Sequence, residues 1–259
     1  MEWELWEPWY VWIASSLGLS PKADYEASRR LNSIIEGVAA RADSLKRILA
    51  GKGVVVVGAG PSLPEALSEV LRRVNGVVVA ADGACSYLLE IGVTPHIVVS
   101  DLDGDINDIR ECWRRGCYVV VHAHGDNVEA VETYTPTFRE RILGTTQVKP
   151  HGCLHNFGGF TDGDRAVFMS LELGCKSVLM VGMELSNVVG RYSKPWLKRN
   201  EAVWPFKKAK FIVARRLLSW ASRLYWRPIM RLVVEGYDPG GEIPGVRDVG
   251  VSELEALRL

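Results

Sequence analysis

The chain has 259 residues, 47% of them hydrophobic, which suits one α/β domain with extensions and is near the upper size for a single core. Lys plus Arg and Asp plus Glu each number 31, a balance that argues against a dedicated nucleic-acid binder. Five cysteines without a CxxC argue against a disulfide framework and fit a reducing cytoplasm, the acidic, Trp-rich start is no signal peptide, and no 18-residue apolar run predicts a membrane span.

In chain order, Trp3, Trp6, Trp9 and Trp12 recur every three residues, along one side of a helix or 3₁₀ turn interrupted at Pro8. This segment is expected to pack on the main domain or on the second subunit of a homodimer, with an aromatic nucleobase platform as the alternative. Apolar or small residues at 31, 34, 35, 38, 45, 48 and 49 predict a helix from Pro21 to Ala50. An α/β pattern then begins. Strands are predicted at Gly53–Val57, Val77–Ala81, Ile97–Ser100 and Tyr118–His122. Helices are predicted over about Leu63–Arg73, up to Glu90, and over about Ile106–Arg115. Further strands are expected near Gln147–Lys149 and Ser177–Val181, around a helix from about Asp164 to Leu173. After Gly182, a long amphipathic helix is predicted over Lys207–Trp226, with Arg231–Glu235 and Pro244–Asp248 as short strands or loops. Val-rich strands alternating with helices predict a Rossmann-like, mostly parallel sheet covered on both faces. The expected organisation is a helical extension over 1–50, a nucleotide-binding catalytic α/β domain over 51–185, and a basic extension with a long helix over 186–259.

Within that frame, Val98-Val99-Ser100-Asp101-Leu102-Asp103 ends an apolar run in two carboxylates. On a strand that persists to Asp103 both leave the same face, at the edge where open parallel sheets bind ligands. Adjacent carboxylates repel, so holding both ionised calls for a hard cation, Mg²⁺ or Mn²⁺. The bland alternative is an acidic loop in which Asp105 caps the next helix. Gly58-Ala59-Gly60-Pro61-Ser62 leaves a strand and opens a helix, so its backbone N–H groups are candidates for a nucleotide phosphate and Asp82 for a ribose hydroxyl. Leu63 in place of a third glycine, and Pro61 without an N–H, depart from the dinucleotide fingerprint; a tight strand–helix turn is the alternative.

His122-Ala123-His124-Gly125-Asp126-Asn127 superficially matches the HxHxD of metal-dependent hydrolases. All five histidines lie between 96 and 155, however, which leaves only His151 and His155 for a second zinc. The segment is read instead as closing a strand end beside Asp101 and Asp103, with Asp126 joining the cation or its waters. In the stretch from Asn156 to Ala166, Gly158 and Gly159 permit close backbone approach, and Thr161 or Asp162 can cap the helix that follows.

VVGAGPSL (56–63), ADGA (81–84), SDLDG (100–104), HAHGDN (122–127) and GGFTDGDRA (158–166) occur in order. Together they resemble the archaeal 6-hydroxymethyl-7,8-dihydropterin pyrophosphokinase (MptE-like) family, related to thiamine pyrophosphokinases, over roughly residues 53–184. The resemblance implies a Rossmann-like fold with Mg²⁺ at acidic strand ends. It also implies transfer of diphosphate from ATP to a pterin hydroxymethyl group with release of AMP, in the making of tetrahydromethanopterin or folate-type cofactors. SDLDG in place of the GD-x-DS element of the thiamine enzymes, and the HAHGDN segment, favour the pterin branch. On this reading Asp101, Asp103 and Asp126 hold the metal, and one of those carboxylates or His124 accepts the alcohol proton. Gly58, Gly60, Ser62, Asp82, Gly83 and Asn127 serve ATP, and Asn156, Thr161 and Asp162 serve the pterin. A thiamine-type enzyme, a non-catalytic nucleotide-binding module and a metal-dependent hydrolase are the alternatives.

From Ser186 to Arg231 there are twelve Lys or Arg and one acid, Glu201. A loop carrying Arg191, Lys194, Lys198 and Arg199 is expected to close over the triphosphate, the rival being a patch for RNA or an acidic partner.

Overall fold

The computed structural model describes residues 1–257. Five-residue runs such as Gly53–Val57, with four valines and no polar side chain, are suited to strands buried on both faces. Eight strands form one sheet: β1 (Gly53–Val57), β2 (Val77–Ala81), β3 (Ile97–Ser100), β4 (Tyr118–Ala123), β5 (Ile142–Thr146), β6 (Ser177–Val181), and, after a separate antiparallel pair β7 (Val188–Val189) and β8 (Glu201–Ala202), β9 (Ile229–Val233) and β10 (Arg247–Gly250). Their order is β10-β9-β6-β1-β2-β3-β4-β5, and every neighbouring pair is parallel.

Helices cover both faces, as predicted. Val54 and Val56 point into a core shared with α1 (Trp3–Leu17), α3 (Ala42–Leu49), α8 (Asp162–Glu172) and α9 (Pro205–Tyr225). Val55 and Val57 point into the other core, under α2 (Pro21–Ile35), α4 (Leu63–Arg73), α5 (Ala84–Glu90), α6 (Ile106–Arg114) and α7 (Val128–Tyr134). From β1 the chain winds outward to β5, then returns to the other side of β1 as β6. The loops after β1 and β6 leave the sheet side by side at this switch point and pack on each other, Gly60 N–H donating to Gly182 O at 2.8 Å. Pairing of Val57 with Val181, Ala81 with Val99, Ser100 with Val121 and Ala123 with Thr146 brings the C-terminal strand ends to one common edge.

Several expectations are corrected. The helix predicted from Pro21 to Ala50 is two helices, because residues after Ile35 turn through Gly37 (φ +89°) and run beside β5, where Ala40 N–H donates to Ile142 O at 2.6 Å. The strand expected near Gln147–Lys149 lies earlier, at Ile142–Thr146, where Ile142 and Leu143 pair with Val119 and Val120. The helix α1 runs through Pro8. It packs on the main domain: Trp6 is 1% exposed and donates from Nε1 to Gln147 O at 2.8 Å, and the Trp9 ring lies 5.3 Å from that of Trp220 on α9. The stretch after 186 is more than an extension, since it supplies β9 and β10 to the same sheet. Arg231, counted in the basic stretch from Ser186, is 1% exposed and pairs through both Nε and Nη2 with Asp248 at 2.8 Å each. Among the described residues no helix is long and apolar enough to cross a membrane.

Candidate active site

A cavity of about 500 Å³ runs along the common edge, from the loop after β6 to the loop after β5. One wall comes from the α1–α2 turn, the other from the segment after β7 and the start of α9. Strands in a sheet are about 4.8 Å apart, so the five steps from β6 to β5 give an edge about 24 Å long.

Carboxylates converge at its middle. One oxygen each of Asp82 after β2, Asp101 after β3 and Asp162 at the start of α8 lie within 4.8 Å of one another. Asp82 sits in the left-handed region (φ +44°) and its Oδ1 accepts from Ser100 Oγ at 2.7 Å and from Gly104 N–H at 3.2 Å. Gly104 is there because a Cβ would meet the Asp82 carboxylate at 2.6 Å. Burial, and then the charges of Asp101 and Asp103, push the Asp82 carboxyl up to about 7. Burial and the same acidic neighbours raise Asp162 well above the usual range. Asp101 is held below its ordinary value: burial works against its charge, but the His124 hydrogen bond and charge, with Lys194, outweigh it. Asp103 forms an ion pair with Lys194. Ionising all three oxygen donors this close would gather more negative charge than the protein compensates, which is why two of them are driven to keep their protons. That is the donor set a hard divalent cation fits.

Residues 28–190 match the family described as "6-hydroxymethylpterin diphosphokinase MptE-like". The chain belongs to that family. Three archaeal relatives bear the name 6-hydroxymethyl-7,8-dihydropterin pyrophosphokinase. The Pyrococcus furiosus protein is 43% identical over 85% of this chain and 94% of its own. That of Methanothermobacter thermautotrophicus is 43% identical over 86% and 96%, and that of Methanocaldococcus jannaschii 36% over 85% and 95%.

In this MptE-like chain the sequence-predicted residues separate into two groups. Gly58, Gly60, Asp82, Gly83, Asp101, Asp103, His124, Asp126, Thr161 and Asp162 line the cavity. Ser62, Asn127 and Asn156 are buried behind its wall. Ser62 Oγ donates to Glu184 Oε1. Asn127 Nδ2 donates to the carbonyls of Asp101 and His122 at 2.8 and 2.7 Å, and its Oδ1 accepts from His124 N–H, so it braces the β3 and β4 ends against each other. Asn156 Oδ1 accepts from Gly158 N–H at 2.8 Å inside its own loop. Asp126 is exposed and stands apart from the three-carboxylate cluster. Thr161 N–H donates to Asp164 Oδ1 at 2.8 Å at the start of α8.

Two local readings change. β3 ends at Ser100, so Asp101 and Asp103 do not alternate along a strand; Ser100 Oγ accepts from Leu102 N–H at 2.8 Å and Asp101 Oδ1 from Asp103 N–H at 3.3 Å, and these turns bend the chain. The expected cap is also present, with Asp105 Oδ1 accepting from Asn107 N–H at 2.9 Å. The N–H groups of Gly58 and Gly60 donate at 2.8 Å to the carbonyls of Val181 and Gly182, so the glycines serve the packing of two loops and do not offer those amides to a phosphate. His124 Nδ1 accepts from Asp126 N–H at 3.3 Å, which leaves Nε2 to donate to Asp101 Oδ2 at 3.3 Å. Of the cations named for the closing loop, Lys194 lines the cavity, joined by Lys207 and Lys210, while Arg191 pairs with Glu90. Arg165, in the GDRA run, and Gln147 also line it; no residue pattern in the sequence marks Gln147.

Proposed function

We propose that this chain transfers the diphosphoryl group of ATP to the hydroxymethyl oxygen of 6-hydroxymethyl-7,8-dihydropterin, in the making of a tetrahydromethanopterin or folate-type cofactor in the cytoplasm. The alcohol oxygen attacks the β-phosphorus, the bond from that phosphorus to the α–β bridging oxygen breaks, and AMP leaves with the bridging oxygen. The family membership supports the reaction, and the meeting of Asp82, Asp101 and Asp162 inside the cavity is the observation that carries the site.

Asp101, Asp82 and Asp162 would hold Mg²⁺, with Asp103 beside them. When bound, Mg²⁺ supplies charge neutralisation on phosphate oxygens. Phosphoryl transfer depends on positioning and charge more than on covalent chemistry. Lys194 and Lys207, both at the cavity wall, face the same region and would neutralise phosphate charge as the diphosphoryl group moves. His124 positions Asp101 by donating to it. Incubation with ATP, Mg²⁺ and the hydroxymethyl dihydropterin should give AMP and pterin diphosphate in equal amounts; ADP as the main product would overturn the assignment.

A further inference from the structure

The cavity extends past the carboxylates to the β4–β5 end, where side chains rather than backbone form the wall. There Asp24, 3% exposed, accepts from Tyr10 Oη at 2.7 Å, Gly125 N–H at 2.8 Å and Gln147 Nε2 at 2.8 Å. A carboxylate that takes the amide nitrogen fixes which way Gln147 points, so Oε1 faces away from Asp24 as an acceptor. Beside it is His122, 2% exposed and lining the cavity. Thr145 Oγ1 donates to Val121 O at 3.2 Å and so can only accept from His122 Nδ1, at 3.1 Å. The ring proton is then on Nδ1, and Nε2 carries a lone pair with no hydrogen-bond donor facing it. Burial, then the charge of Arg165, keep this imidazole neutral, although the Gln147 amide is close enough to favour the charged form. His122 Nε2, next to the Gln147 amide, is thus a buried acceptor that lines the cavity without a hydrogen-bond partner.

We propose that this end of the cavity takes the acceptor substrate's ring, with His122 Nε2 and Gln147 Oε1 both accepting from an exocyclic amine and its adjacent ring N–H. The ligand class is a flat fused heterocycle with an amidine-type edge. The inference rests on the pterin reading above. β5 lies two strands, about 10 Å, from β3, close to the reach of a two-ring heterocycle and its one-carbon arm, so a ring read here presents its alcohol to the carboxylates. Leu17 at the end of α1, Leu19 of the α1–α2 turn and Phe160 supply apolar wall for the ring.

The test is equilibrium binding of 6-hydroxymethylpterin and of 6-hydroxymethyllumazine, which carries a carbonyl in place of the 2-amine, with Mg²⁺ and α,β-methylene-ATP titrated separately. A site built from acceptors should prefer the pterin by roughly 10–100-fold in the unmodified protein. Gln147→Met should reduce that preference to about threefold or less with nucleotide affinity unchanged. Because Gln147 also anchors Asp24, Leu19→Trp serves as a second variant: it narrows this end from a turn position and should abolish pterin binding at an unaltered melting temperature, with nucleotide still bound. If both variants keep the pterin preference, or lose nucleotide affinity instead, the placement is wrong while the reaction stands. If the unmodified protein binds nucleotide but neither heterocycle, the pterin reading itself fails and the placement with it.

Discussion

The β6–β1 end of the cavity and its β4–β5 end are held by different kinds of contact. At the first, backbone meets backbone: Gly58 and Gly60 donate to the β6 end, and a Cβ on Gly60 would collide with the Glu184 carboxylate and the Gly182 carbonyl. At the second, the wall is a side-chain network through Asp24, Tyr10, Gln147 and His122. Backbone packing fixes a shape and is indifferent to most neighbouring side chains. A side-chain network can be retuned one atom at a time, which suits the end that distinguishes one substrate from its analogues. The carboxylates lie between, and they carry charge rather than shape.

Substitutions should separate these three regions. The largest effect is expected in the middle: Asp101→Asn should lower kcat by about a thousandfold, near 4 kcal/mol of lost charge stabilisation, with the fold intact by circular dichroism. Asp82→Asn should instead raise stability above neutral pH. Asp82 keeps its proton up to about pH 7 in the folded chain against 3.8 as the ordinary value. Ionising it therefore costs the fold nothing below pH 3.8 and the full amount above 7. In chelator, the variant should match the parent at pH 4 and exceed it by up to about 4 kcal/mol at pH 8, read by denaturant unfolding. An unchanged difference across that range would show that Asp82 does not feel its acidic neighbours. At the backbone end, Gly60→Ala should cost about 2 kcal/mol of stability and weaken ATP and pterin alike. The smallest effect belongs to the network: Tyr10→Phe removes one of three donors to Asp24, for about 1 kcal/mol, and should raise KM for the pterin severalfold while leaving that for ATP alone.

The central strands were legible because β-branched runs bounded by Asp-Gly and Gly-x-Gly turns have few other folds open to them. Strand β5 was misplaced because Ile142-Leu143-Gly144-Thr145-Thr146 carries only two large apolar residues, and its burial comes from partners elsewhere. Asp101 and Asp103 were legible as a pair, but not as the centre. That centre also needs Asp82, nineteen positions before Asp101, and Asp162, sixty-one after it, an encounter made by the return from β5 to β6. Asn127 and Asn156 look like ligand groups in a string of letters; only their hydrogen bonds show that the loops consume them. Arg231 shows the same limit from the other side, since a buried cation held by Asp248 reads in sequence like any surface charge.

The bond from Trp6 to Gln147 spans 141 positions. During synthesis at about 5–20 residues per second, roughly 7–30 s separate the emergence of the two ends of that contact. Throughout that interval the Trp6–Gln147 bond cannot form, and the contact of Trp9 with Trp220 waits longer still. These two contacts form only after β5 and α9 are made, so a blue-shift of Trp6 and Trp9 fluorescence would report a late event in folding. Contacts of such long sequence separation slow folding, so the docking of α1 through Trp6 waits on the end of β5.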